Sequence, residues 1–172
     1  MRMAVIITVG TLALSGCMHM GAKGEPDVTG GSAIIRAPDG TERGRARLTT
    51  VDGVMRLTVE GVDLQPGARG MHVHMVGRCD APDFKSAGDH WNPDAKQHGR
   101  DNPMGAHRGD MPNLMIGTDG RGSISLDLPG SPSSLFDGDG ASVVIHASAD
   151  DYRTDPSGNS GARVACGILE AR

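Results

Sequence analysis

Five of the chain's seven histidines fall between Met71 and Pro112, namely His72, His74, His90, His98 and His107, and Asp110 follows three residues after the last. Neutral imidazole and carboxylate are donors that suit zinc and copper. His72 and His74 are two apart in an alternating stretch, so both leave the same face of a predicted strand. His146 ends a second strand pattern, Val143-Val144-Ile145-His146. The later set, His90, His98, His107 and Asp110, is spaced at intervals of eight, nine and three. No helix face gathers such positions, whereas a loop wrapped round an ion does. Three imidazoles and one carboxylate complete a tetrahedral zinc site with no open position, the mark of a structural zinc. The strand pair plus His146 needs a fourth donor for a stable copper site. One group can therefore serve both metals, and composition alone does not say which.

Short strands must position these donors. Ala33–Ala37, Arg43–Val51, Met55–Glu60, Gly70–Val76, Asn113–Thr118, Gly122–Leu128, Ala141–Ala147 and Arg163–Leu169 each read as a strand. Turn residues separate several of them: Pro38-Asp39-Gly40, Asp52-Gly53 and Asp119-Gly120. Pro129 to Gly140 reads as a Ser-, Pro- and Gly-rich connection, and no segment reads as a long helix. The expected fold class is all-β, an eight-stranded Greek-key barrel or sandwich with long metal-binding loops.

The 172 residues fit one domain, with 26 glycines and few aromatics. A core made of Val, Ile, Leu, Ala and Met is modest, and a disulfide or a bound metal would reinforce it. The net charge of -4 gives no sign of nucleic-acid binding. Residues 1–16 have a short positive start and an apolar run too short to span a bilayer, as a signal peptide does. The run ends Leu14-Ser15-Gly16-Cys17, which resembles the bacterial lipoprotein processing box. Lipid on Cys17 would anchor an otherwise soluble protein to a membrane, and the following Met18 leans toward the outer membrane. The expected location is the periplasm or cell envelope. Residues 17–31 read as a flexible tether before a domain spanning 32–172; Met18-His19-Met20 offers copper-binding side chains but reads as incidental. With Cys17 set aside, Cys79 and Cys166 remain, free to pair in an oxidising compartment.

The chain resembles the bacterial exported type of copper,zinc superoxide dismutase from about Ser32 to Leu169. The resemblance rests on Gly70-Met71-His72-Val73-His74, Ser86-Ala87-Gly88-Asp89-His90-Trp91-Asn92-Pro93, His107-Arg108-Gly109-Asp110-Met111-Pro112-Asn113-Leu114, Val144-Ile145-His146-Ala147 and the stretch from Gly158 to Gly167. It implies dismutation of superoxide, with one copper and one zinc per subunit. By position it implies copper ligands His72, His74, His90 and His146, and zinc ligands His90, His98, His107 and Asp110, with His90 shared. It further implies a Cys79–Cys166 disulfide, an anion-guiding Arg163, and Asp150 as the carboxylate linking a copper histidine to a zinc histidine. Lys85, Lys96, Arg100 and Arg108 are candidates for a wider guiding field. The family includes monomers and homodimers. The alternative is a dismutase-like protein that stores or transfers copper without catalysis; the complete ligand set and Arg163 weigh against it.

Overall fold

The computed structural model describes residues 29–172. The signal segment, Cys17 and Met18-His19-Met20 lie outside the described residues. Among the described residues nine strands form: β1 Gly30–Arg36, β2 Glu42–Val51, β3 Val54–Gly61, β4 Gly67–Arg69, β5 Met71–His74, β6 Leu114–Ile116, β7 Gly122–Leu128, β8 Ala141–His146 and β9 Arg163–Ala171. The first begins two residues ahead of the expected domain boundary at Ser32, because Gly30 and Gly31 already pair with Thr49 and Leu48.

Seven strands make one antiparallel sheet in the order β5-β8-β9-β1-β2-β3-β7, and β4 pairs with β6 in a second. β4 runs into β5 through the single residue Gly70, and a short turn joins β6 to β7. The small sheet thus spans the two edges of the large one and curls it toward a barrel. β5 falls within the strand expected at Gly70–Val76, whereas β4 lies ahead of it in a stretch not expected to be a strand, and so makes nine strands where eight were expected.

Alternation decides what faces inward. In β3, Met55, Leu57 and Val59 are buried while Arg56 and Glu60 are exposed. β2 does the same with Ala46 and Leu48 against Arg45 and Arg47. The two strands register residue against residue through the Asp52-Gly53 turn. Both turn residues have positive φ, 51° and 78°, as a tight hairpin of this hand requires. Ile35, Leu57, Met71, Val73, Leu114 and Ile145 are fully buried at the centre. Each such side chain contributes roughly 1.5–3 kcal/mol by leaving water.

Two features tie the long loop to this barrel. Cys79 and Cys166 form a disulfide across 87 residues, with Cα atoms 5.7 Å apart, so the loop is fastened to β9. Closing a chain loop of that length stabilises by about 4–5 kcal/mol on the loop-entropy model. Trp91 packs into the main core and its indole donates to the Ser134 carbonyl at 3.0 Å. Ser134 lies in α1, Pro132–Leu135, a single helical turn inside the segment expected to be irregular. Its signal was present in the sequence: Ser131 caps the turn and Pro132 occupies the first helical position.

Candidate metal centre

β5 turns Met71 and Val73 toward the apolar core and His72 and His74 to the other face, where both are wholly buried. Pairing with β8 sets His72 opposite Val144 and His74 opposite Ser142, and brings His146 to the same end of the sheet. His90 arrives from the loop, held by a bridge to the backbone of His74. The rings converge: His90 lies 3.9 Å from His72 and 4.9 Å from His74, and His146 lies 4.9 Å from His72, centroid to centroid.

Each ring has one nitrogen engaged and one free. His74 Nδ1 donates to the Gly88 carbonyl at 2.9 Å, and His146 Nδ1 to the Gly161 carbonyl at 3.1 Å. A carbonyl only accepts, so the proton sits on Nδ1 and a lone pair remains on Nε2. His72 Nε2 meets Asp150 Oδ2 at 2.7 Å and His90 Nδ1 meets Asp110 Oδ1 at 2.8 Å. The remaining nitrogens, His72 Nδ1, His74 Nε2, His90 Nε2 and His146 Nε2, are buried with no hydrogen-bond partner. All four lie within 4.8 Å of one another. Buried polar atoms are almost always paired. Four lone pairs turned on one point fit a metal ion that accepts them all.

The second cluster is built round an anion. His90, His98 and His107 each direct Nδ1 at Asp110 Oδ1, at 2.8, 3.0 and 3.1 Å. Asp110 Oδ2 accepts the amides of Gly99 and His107 at 2.8 and 3.0 Å. These donors again lie within 4.8 Å of one another. The pattern is three imidazoles and a carboxylate, and His90 belongs to both clusters.

Charge divides the two. Burial pushes the His72 pKa down to about 3 and that of His146 to about 4, and lowers His74 well below its usual range. Those rings are neutral at pH 7 and ready to bind. Burial also opposes charge on His98, but the hydrogen bonds of Asp110 and Asp150 outweigh it and raise that pKa to about 9. Burial works against the Asp110 carboxylate too, yet its bonds from His107, His90 and His98 hold its pKa well below the carboxylate range.

Asp150 joins the clusters. Its Oδ2 bonds His72 and its Oδ1 bonds His98 Nε2 at 3.0 Å. Asp151 instead binds the Arg153 and Thr154 amides and Asn159. Gly158 seals the carboxylate: φ is +63°, and a Cβ there would lie 1.8 Å from Asp150 Oδ1. Arg163, half-buried at the start of β9, donates to the carbonyls of Phe84 and Gly88, both at 2.8 Å. Gly88 O therefore holds Arg163 and His74 together.

Of the candidate guiding cations, Lys85 pairs with Asp83 at 3.0 Å, Arg108 with Asp94 at 2.6 Å, and Arg100 stacks on Tyr152. Sequence reasoning did not single out Ser160, whose fully buried hydroxyl lies 3.1 Å from His146 Nδ1, nor the roles of Asn113 and Tyr152. Asn113 and Ser160 lie within the motif segments named above, whereas Tyr152 lies outside them.

A barrel that brings a four-imidazole cluster and a three-imidazole, one-carboxylate cluster to one shared ring defines a two-metal protein. The model of the copper/zinc superoxide dismutase family matches residues 42–169, and the chain belongs to that family. It is 46% identical over 125 residues to the superoxide dismutase-like protein YojM of Bacillus subtilis, covering 69% of this chain and 64% of that one. It is 41% identical over 140 residues to Superoxide dismutase (Cu-Zn) 1 of Aquifex aeolicus, covering 76% and 82%. Among solved structures, a double mutant of a dismutase-like protein from Bacillus subtilis superposes with TM-score 0.77 at 39% identity, over 82% of this chain and 98% of that one. The copper/zinc dismutase of Brucella abortus gives 0.66 at 28% identity, over 81% and 98%.

Proposed function

We propose that His72, His74, His90 and His146 hold copper, that His90, His98, His107 and Asp110 hold zinc, and that the protein dismutates superoxide: two superoxide anions and two protons give dioxygen and hydrogen peroxide. The observation that carries the reading is the set of four buried, unpartnered imidazole nitrogens facing one point. Copper held there would supply one-electron exchange with superoxide in both directions. The chain supplies the rest. Arg163 presents a fixed cation beside His146, its register partner, and draws a small anion in against the net negative charge. His90 places Nε2 in one cluster and Nδ1 in the other, so the same ring can hold a proton at Nε2 next to the reacting anion. Asp150 keeps His72 and His98 in fixed orientation through the nitrogens not aimed at a metal.

The proposed location is the cell envelope, with a lipid on Cys17 as anchor. The Leu14-Ser15-Gly16-Cys17 sequence supports it, as does a Cys79–Cys166 disulfide of the kind that persists in oxidising compartments. Among the described residues no helix is long and apolar enough to cross a membrane.

The test is superoxide consumption by the chain lacking residues 1–17, loaded with copper and zinc. Consumption should be fast, and in Arg163→Ala it should fall by about tenfold or more, with a weaker dependence on salt. Tight copper binding with no consumption would sink the catalytic reading and favour copper storage or transfer.

A further inference from the structure

Tyr152 is the chain's only tyrosine. Its φ is 63°, a left-handed conformation that a bulky residue keeps only where its surroundings over-determine it. Four interactions do so. The Tyr152 amide donates to Asp150 Oδ1 at 2.6 Å. Its carbonyl accepts the Asp101 amide at 3.0 Å. Its hydroxyl accepts the Asn113 amide at 2.8 Å. The Arg100 guanidinium lies over its ring, 4.0 Å from the centroid.

The partners of Tyr152 are themselves tied to the metal donors. Asn113 grips the Asp150 backbone from both sides, donating to its carbonyl at 3.0 Å and accepting from its amide at 2.8 Å. Gly99, adjacent to His98, passes so close that a Cβ would lie 2.2 Å from the Tyr152 carbonyl oxygen. The Gly99 amide in turn binds Asp110. One residue thus touches the carboxylate that joins His72 to His98, the loop that carries His98, and the segment that follows Asp110.

We propose that Tyr152 is a positioning residue that couples the two metal clusters. Metal in the carboxylate cluster orders the loop round His98 to Asp101. That loop fixes Tyr152, Tyr152 fixes Asp150, and Asp150 sets the orientation of the His72 ring. The inference rests on the two-metal reading given above. Coupling of this kind is reciprocal, so zinc should tighten copper by the factor by which copper tightens zinc.

The experiment measures that factor by competition titration of copper with and without zinc, and follows the Cu(II) paramagnetic resonance spectrum in both states. Tyr152→Phe keeps the ring and the Arg100 stack but removes the hydroxyl. The coupling factor should fall about tenfold, the lower end of what outer partners of metal ligands cost. The zinc-free spectrum should match wild type, while the shift that zinc causes should shrink. Arg100→Met leaves every buried group in place and serves if Tyr152→Phe does not fold; it should reduce the factor in the same direction by less. Asp150→Asn marks the full loss of the route. Coupling that falls in Asp150→Asn but stays at the wild-type value in Tyr152→Phe and Arg100→Met would overturn the role of Tyr152 and leave the two-metal reading standing. Failure of the wild-type protein to bind copper and zinc together would overturn both.

Discussion

The two clusters share His90 yet are assembled in opposite ways. Three of the four donors at the proposed copper site stand on paired strands, β5 and β8, whose hydrogen-bonded register fixes them before any metal arrives. Their rings are buried and neutral, and each free nitrogen faces the others without a partner. All four donors at the proposed zinc site come from the loop, and the three imidazoles gather on the oxygen of the fourth, Asp110. That oxygen satisfies them electrostatically, and with Asp150 it favours a proton on His98. One site is preorganised by sheet pairing and pays with unpaired polar atoms. The other is organised by charge and must exchange protons for its ion.

The largest expected effect separates the clusters outright. His146→Ala removes a donor from the first cluster only, so copper binding and superoxide consumption should both disappear while zinc binding persists, as metal analysis of the purified protein would show. Loss of both metals would mean that the clusters stand or fall together. Asp150→Asn touches both through His72 and His98, and should weaken copper and zinc alike by about 10–100-fold in competition titrations. Gly158→Ala should do the same, since its Cβ would collide with the Asp150 carboxylate. An effect on one metal alone would break the link assigned to Asp150.

Acidity sharpens the contrast further. His98 holds its proton up to about pH 9 in the metal-free protein, so below that pH zinc must displace it. Zinc affinity should climb by about tenfold per pH unit from 6 to 8. His72 and His146 give up theirs above about pH 3 and pH 4. Proton competition at these two rings is therefore over by pH 6, and copper affinity should change far less across the same window. Parallel slopes for the two metals would contradict the difference in charge described here.

Much of this was legible in the sequence because metal donors are rare residue types at informative spacings. Five histidines in one stretch, and an alternating Met71-His72-Val73-His74, locate the strand pair and the loop set without coordinates. The strands were legible by alternation, clean in β3 and looser in β2, and the Asp52-Gly53 turn between them fixes their register. The single helical turn at Pro132–Leu135 was not, because four residues carry no periodicity and only its cap betrays it. The carbonyl of Gly88, which holds both Arg163 and His74, left no mark, because every residue type has a carbonyl. Tyr152 was equally silent: its importance lies in a backbone angle and three hydrogen bonds that only the folded loop creates.

The most direct test of the central claim is anomalous diffraction from crystals of the copper- and zinc-loaded protein, recorded on either side of each metal's absorption edge. The account predicts copper among His72, His74, His90 and His146, zinc among His90, His98, His107 and Asp110, and the His90 ring between them. Zinc in the four-imidazole cluster with copper against Asp110, or a single ion in place of two, would contradict it.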